Sequence, residues 1–513
     1  MPRAQKEISL FYYSPSCVKE GKQFFTCKCG NERSQDVSKG YANLFDHVKK
    51  QHPDYEQEID DVARGNQAHI QFYDRKTLNI FAWLEWIVMS MLPFTFLESD
   101  LTRKNVKLEP ISRNTFTKYL LKVGEEVRIR LVASLPSKIG IYFDGWSDHS
   151  THYVAVFACY SAANNSESSY PLLSLSPLLN EESLTAQSHL EFLTAVLEMY
   201  GKDLSNVAFL AGDNCATNLK LADLIHVPFI GCVSHRFNLA MQTFLSNSAS
   251  ILQKVEDVMS KLRTIKKAAL LRRFTLLCPV LRNVTRWSST FEMISRYFEL
   301  KEFLIRMDDP AISDLLPLPA EERDLKSVFS TLEKFESITV ALQQPSLDLR
   351  DARVLMDDVI EHHQAMAHYL APDALIVHSV SFESGIVKIL SGQEVQLNQD
   401  ELVICQQFEK VVPIVPVFEN KKKLTYAETI LQQNKIQRVD VVSRYEDLRY
   451  INPTTNLVER LFSVCKLTLT DYRQSLLPIN FEHLLYLKAN RGFWDVALVS
   501  NAIYAAKDDE DIE

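Results

Sequence analysis

The stretch Lys138-Ile-Gly-Ile-Tyr-Phe-Asp-Gly-Trp146 decides the fold. β-Branched and aromatic residues run together and are closed by an acid and a glycine, the texture of a buried strand that ends on a polar residue. Four runs of the same texture follow: HYVAVFACY (152–160), SYPLLSLSPLL (169–179), NVAFLAGD (206–213) and VPFIGCV (227–233). Loops alone join the first three, which predicts antiparallel hairpins. A helical pattern over Ala186–Tyr200 separates the third from the fourth and predicts a crossover to a parallel strand. Residues 133–246 therefore read as the first part of an α/β core with a mixed sheet.

Outward from this core the texture is helical. Residues 61–132 hold an apolar helix near Leu78–Leu92 and a second near Arg113–Leu131, residues 247–445 read as a long helical insertion, and residues 446–513 return to the core before an acidic tail, KDDEDIE. At 513 residues the chain is long enough for roughly three folding units. Its 46% hydrophobic and 24% charged residues exclude a disordered protein. The net charge of −9 excludes attraction of nucleic acid by bulk field, so any DNA contact must be local. Asn79, Glu85 and Pro93 interrupt the longest apolar stretch and the first residues hold no apolar signal core, so no membrane partner and no secretion are expected. Nine scattered cysteines fit a reducing compartment better than a disulfide framework.

Within residues 1–60, Cys27-x-Cys29 and His47-x4-His52 form a set of two thiolates and two imidazoles, the donor count of a tetrahedral Zn²⁺ site. Gly30 lets the chain turn back after the second thiolate, and Tyr41, Leu44 and Val48 share a face with His47. That is a core large enough only if a metal completes it. The competing reading is two unrelated cysteines and two surface histidines. Residues 19–53 also carry seven cations (Lys19, Lys22, Lys28, Arg33, Lys39, Lys49, Lys50) against four acids, which suits phosphate contact or, equally, a solvated face.

Two runs end on acids. Asp144-Gly145 closes the first, where the glycine is expected to turn the chain sharply away, and Asp213 closes the fourth. Alone, each acid reads as a turn residue or helix cap; together, at adjacent strand ends, they repel unless Mg²⁺ or Mn²⁺ lies between them. Downstream, Asn452-Pro-Thr-Thr-Asn-Leu-Val-Glu459 opens a helix capped by Thr455 or Asn456, with Leu457, Leu461 and Val464 on its packed face. Glu459 in its first turns would complete a two-metal site for displacement at phosphorus, or else be an ordinary exposed Glu-Arg pair.

The segments FFTCKCG and KGYANLFDHVKKQH resemble a BED-type zinc finger. In order, DGWS, GDNCATN, CVSHRFNLA, TRWSST and NLVERLFS resemble the motifs of hAT superfamily DNA transposases. The resemblance covers nearly the whole chain. It implies a ribonuclease H-like fold interrupted by an all-helical insertion, a helical DNA-binding or linker domain at 61–132, and a dimerisation region near the C-terminus. It implies Asp144, Asp213 and Glu459 as the catalytic triad on Mg²⁺ or Mn²⁺, zinc in the finger, and metal-dependent cleavage and transfer of double-stranded DNA. It also implies a homodimer or larger homo-oligomer and a nuclear location.

Cys232-x-x-His235 matches the family's C-x-x-H motif; two further metal ligands are lacking, so both residues read as neighbours of the active site. Arg286-Trp287 matches its R-W pair, implying that the indole stacks on a displaced base; a core tryptophan is the competing reading. Independently of any family, eight cations and no acid lie between Lys261 and Arg286, among them Lys266, Lys267, Arg272 and Arg273. This is a local positive field that leads into the R-W pair. The rival function is a domesticated, non-catalytic DNA-binding or regulatory descendant. Such chains commonly lose an acid, and all three are present here.

Overall fold

The computed structural model describes residues 5–19, 22–27, 29, 31–34, 40–56, 59, 73–161, 168–283, 286–410, 443–470 and 476–508. Gly30, Lys28, Lys39 and part of the 61–132 and 247–445 segments lie outside the described residues. The protein is a mixed α/β chain of two compact units, 1–127 with 491–513, and 128–490.

The first unit opens with helix α1 (Gln5–Tyr12), three antiparallel strands, β1 (Tyr13–Lys19), β2 (Lys22–Cys27) and β3 (Glu32–Ser34), and helix α2 (Ala42–Gln51). Ile8, Tyr12, Phe25, Leu44, Phe45 and Val48 form the small core beneath them. Helix α3 (Arg75–Ser90) follows, capped by Asp74, whose carboxylate accepts from Thr77 N at 2.9 Å. Its apolar face buries Ile80, Trp83, Leu84, Ile87 and Val88, and Met91, in the left-handed region at φ 51°, ends it. Helix α4 (Arg113–Ser134) runs from this unit into the next.

In the second unit β4 (Ile139–Asp148), β5 (Thr151–Ser161), β6 (Ser168–Ser169), β7 (Leu172–Pro177), β8 (Val207–Gly212) and β9 (Phe229–Gly231) make one mixed sheet. The order is β6-β5-β4-β8-β9, with β7 also on the outer edge of β5. β4, β5 and β7 pair antiparallel; helix α5 (Ala186–Glu198) then carries the chain to β8, which lies parallel to β4, with β9 parallel beyond it. β8 is buried along its whole length, as a strand covered on both faces must be.

One expectation fails in detail. β4 does not end at Phe143 but runs on to Asp148, and Gly145 stays in register opposite Val154. The glycine makes no turn. Its lack of a side chain admits the His152 ring, whose Nε2 would lie 2.6 Å from any added Cβ. What ends near Asp144 is the parallel pairing with β8, whose last paired residues are Tyr142 and Ala211.

Helices α6 (Ala216–Ile225) and α7 (Val233–Ser246) follow β8 and β9. The succeeding described residues are helical, chiefly α8 (Ala249–Leu262), α9 (Ile265–Leu271), α10 (Trp287–Arg306), α11 (Pro319–Leu342), α12 (Leu349–His362) and α13 (Val380–Leu390). All of these but α13 share one apolar core with α7, built on Phe237, Val255, Met293, Leu300, Leu325 and Met356. Arg236 crosses that region buried, donating to the Tyr369 and Ala371 carbonyls and pairing with Glu383 at 3.1 Å.

The chain then returns to the sheet. Tyr142 Oη donates to Asn452 O at 2.6 Å, and the buried Asn490 side chain bonds both backbone groups of Leu172, extending the edge of β7. Between these anchors lie α14 (Asn456–Thr468) and α15 (Pro478–Ala489). Trp146 of β4 stacks on Phe462 of α14 at 5.9 Å. The buried face of α14 is Val458, Leu461, Phe462 and Cys465; Leu457 and Val464, expected on it, are half-buried at its flank. In the first unit, α16 (Val496–Asp508) packs on α3, with Trp494 edge-on to Phe81 at 5.8 Å. No helix among the described residues is long and apolar enough to cross a membrane.

Candidate functional site

Two constellations stand out, one in each unit. In the first, β2 delivers Cys27 at its last residue, Cys29 follows in the turn, His47 projects from α2, and His52 caps its C-terminus. Cys27 Sγ lies 3.4 Å from His52 Nε2, and Cys29 Sγ lies 3.3 Å from His47 Nε2. The four ligand atoms all fall within 4.8 Å of one another, the one such group among the described residues. Tetrahedral zinc with Zn–S of about 2.3 Å and Zn–N of about 2.0–2.1 Å sets S and N about 3.5 Å apart, so the set is spaced to hold a metal ion. Burial and the Arg33 guanidinium hold the His47 pKa below its ordinary value, favouring the neutral ring that binds metal. Tyr12 and Tyr13 pack on the two imidazoles, with ring centroids at 4.5 Å from His52 and 5.7 Å from His47.

The second constellation collects residues more than 300 positions apart in sequence. Two residues beyond the last β4–β8 pair, in the same register, come Asp144 and Asp213, and α14 brings in Glu459. Asp144 is pushed up to about 7 by burial first, then by the charges of Asp213 and Glu459, against one N–H bond from Gly145 at 2.8 Å. Burial also raises Asp213, opposed by His235, whose Nδ1 lies 3.5 Å from Asp213 Oδ2. Glu459 keeps an exposed edge, yet crowding raises its pKa; the Arg286 guanidinium pulls it down, Asp213 pushes it up and His235 again lowers it. Asp213 raises both Asp144 and Glu459, and Glu459 raises Asp144, so the three acids make a site that favours a cation or a proton.

The surrounding bonds position these groups. Asn218 donates to Asp213 O at 3.0 Å, holding the turn after β8. Cys232 is buried and its thiol pushed up to about 12 by burial, so it stays protonated; its Sγ accepts from Thr455 N at 3.4 Å. With Val233 N bonded to Pro453 O at 2.9 Å, this ties the start of α7 to the start of α14. The helix cap expected from the Thr455 side chain is absent: the Val458 N–H that it would satisfy donates to the Thr455 carbonyl at 2.9 Å instead. Arg286, expected to touch DNA, is exposed and borders the acidic trio.

Trp287 requires a correction. Its side chain is 4% exposed and sits edge-on to Phe237 at 6.1 Å in the core of the helical insertion, while its backbone N–H donates to Asn238. The indole offers no free face for a base. The basic run is also partly committed: Lys267 pairs with Asp309, and Arg282 pairs with Glu256 at 2.7 Å. Lys266, Arg272 and Arg273 are exposed, as are Lys49 and Lys50 at the end of α2.

Sequence reasoning missed the place of Arg286 beside Glu459; the absence of acids around it gave no hint of which acid it would meet. Of the apolar residues near the C-terminus, Leu484, Leu485, Leu487 and Trp494 are buried within their own units, whereas Leu467, Leu477 and Ile479 are exposed. Set against known proteins, the chain matches no family model and no curated protein, so the reading of these residues rests on their own chemistry.

Proposed function

We propose that the protein is a hAT-type DNA transposase that cleaves and transfers DNA strands with divalent metal. The observation that carries this reading is the meeting of Asp144, Asp213 and Glu459, from three distant motifs, in one mutually repelling cluster. The sheet, with three antiparallel strands and a helical crossover to two parallel ones, supports a ribonuclease H-like core. Two Mg²⁺ or Mn²⁺ ions bound there would activate a water or 3′-OH and steady the leaving oxygen. Asp144 and Asp213 would supply oxygen ligands from adjacent strands, and Glu459 would close the site from its helix. His235 holds the Asp213 carboxylate in place. Arg286 offers guanidinium donors to a phosphate entering beside Glu459.

The Cys27, Cys29, His47 and His52 group is read as a BED-type zinc finger, whose exposed Lys49 and Lys50 suit the phosphate backbone of double-stranded DNA. Exposed Leu467, Leu477 and Ile479 support a homodimer or larger assembly through the C-terminal region. A nuclear location follows from a DNA substrate in a cell with a nucleus. The test uses the full chain on plasmid DNA carrying the sequences that flank its own gene. Mg²⁺-dependent nicking lost in each of Asp144→Asn, Asp213→Asn and Glu459→Gln, with DNA binding retained, is the expected result. DNA binding without cleavage in the wild-type chain would favour the non-catalytic descendant.

A further inference from the structure

Asp213 stands just past the end of β8, and the residue after it, Asn214, is no member of the acidic trio. Its side-chain amide donates to Ile376 O at 3.0 Å, 162 positions later in the chain. Asn214 Oδ1 is buried and accepts no hydrogen bond among the described residues. Two glycines bring the neighbouring backbones together here: Gly212, the last residue of β8, pairs in register with Gly231, the last residue of β9.

Gly231 makes the room that the amide occupies. A Cβ added there would lie 2.0 Å from Asn214 Nδ2 and 2.5 Å from Asn214 Oδ1. Atoms that are not bonded cannot share that space, so even alanine at this position displaces the amide from Ile376. Further bonds converge on the same point. Asp213 O accepts from Cys215 N at 2.8 Å and from Asn218 Nδ2 at 3.0 Å, and Gly212 O accepts from Cys232 N at 2.9 Å. Phe229 N donates to Ser379 Oγ at 2.9 Å, so the Ile376–Ser379 segment of the helical insertion meets β9 as well as Asn214.

The peptide that joins Asp213 to Asn214 is therefore held from both ends, by the turn after β8 and by the insertion. We propose that Asn214 is a positioning residue for Asp213, locking the end of β8 to the Ile376–Ser379 segment so that the Asp213 carboxylate stays where a divalent metal is bound. Asn214 touches no reacting atom and acts through the peptide that it shares with Asp213. The proposal rests on the two-metal reading given above. Groups that orient a metal ligand typically carry about 10–100-fold in metal affinity. An asparagine that only stabilises the fold lowers stability and leaves metal affinity unchanged.

The close approach of Gly231 supplies two perturbations of one contact. Asn214→Ala removes the amide and Gly231→Ala displaces it; when both are made, the added Cβ meets no amide. Effects that pass through a single contact do not multiply. The full chain is titrated with Mn²⁺ by electron paramagnetic resonance, with Asp213→Asn as the blank. Asn214→Ala and Gly231→Ala should each weaken the Asp213-dependent binding by at least about tenfold, and the double variant should match Asn214→Ala alone. In the metal-free chain, hydrogen exchange of the peptide spanning β8 and Asn214 should rise in both single variants and no further in the double.

Unchanged Mn²⁺ affinity in Asn214→Ala overturns the proposal, even where its unfolding midpoint falls, because that is the signature of a purely structural amide. Effects that multiply in the double variant also overturn it, since Gly231 then acts elsewhere. Should one single variant fail to fold by circular dichroism, the other decides. A wild-type chain that binds no Mn²⁺ through Asp213 contradicts the two-metal reading instead. Exchange then decides for Asn214: protection lost in both single variants keeps the lock on the end of β8, and unchanged protection overturns it.

Discussion

Replacing Asp144 by Asn removes an acid whose ionisation the fold resists up to about neutral pH. Its ordinary pKa is 3.8, and in the folded chain it stands at about 7. A folded-state value above the unfolded one means that the associated stability is complete below 3.8 and is lost as pH rises through about 7. At about 1.4 kcal/mol per tenfold, that interval sets a ceiling of about 4 kcal/mol, and the half-buried position of Asp144 lowers it to about 2 kcal/mol by solvent screening. Asp144→Asn should therefore stabilise the metal-free protein by about 2 kcal/mol near about pH 8 and by about 1 kcal/mol or less near about pH 5. Hydrogen exchange of the β4 and β8 peptides at both pH values reads this locally, without assuming that the two units unfold together. An Asn variant no more stable than the wild type at the higher pH would refute the mutual crowding of the three acids.

Further expectations concern other parts of the chain. Chelation, or Cys29→Ala, should unfold residues 1–60, because structural zinc contributes about 10–16 kcal/mol to such small cores; circular dichroism of the 1–60 fragment unchanged by chelator would count against the finger. Trp287→Ala should lower the stability of the Arg128–Asn490 unit by about 3–5 kcal/mol, as a core truncation does, and a thermal scan indistinguishable from wild type would contradict its burial. Gly140→Ala forces a Cβ to 2.3 Å from the Phe209 ring and 2.6 Å from Cys159 Sγ, so a loss of about 1–3 kcal/mol in denaturant unfolding is expected. Arg236→Gln leaves Glu383 buried without its charge partner and should cost about 3–5 kcal/mol, read in the same way.

The mixed sheet was legible because its strands are short apolar runs and the loop or helix between them sets their direction. The grouping of Cys27, Cys29, His47 and His52 was legible because two donor pairs at short spacing leave few alternatives. Gly145 was misread: a glycine after an acid looks like a turn, but its role is to make room for a histidine on the neighbouring strand, and that pairing is invisible until β4 and β5 are in register. Trp287 was ambiguous for a similar reason. An indole at a helix start next to an arginine suits a surface or a core equally, and only the arrival of Phe237 from α7 decides it. The pocket lined by Phe157, Tyr170, Gln343 and Leu457 had no sequence signature, since among the described residues its side chains come from five separate segments. Burial patterns within one element can be read from periodicity; gaps between elements cannot.

The most direct test of metal-dependent chemistry at the acidic trio is anomalous diffraction from crystals of the chain soaked in Mn²⁺. Two peaks about 3.5–4 Å apart, bounded by Asp144, Asp213 and Glu459 and reduced or lost in Asp213→Asn, are expected. Mn²⁺ bound elsewhere with the trio empty, in crystals where DNA is present, would contradict the catalytic assignment.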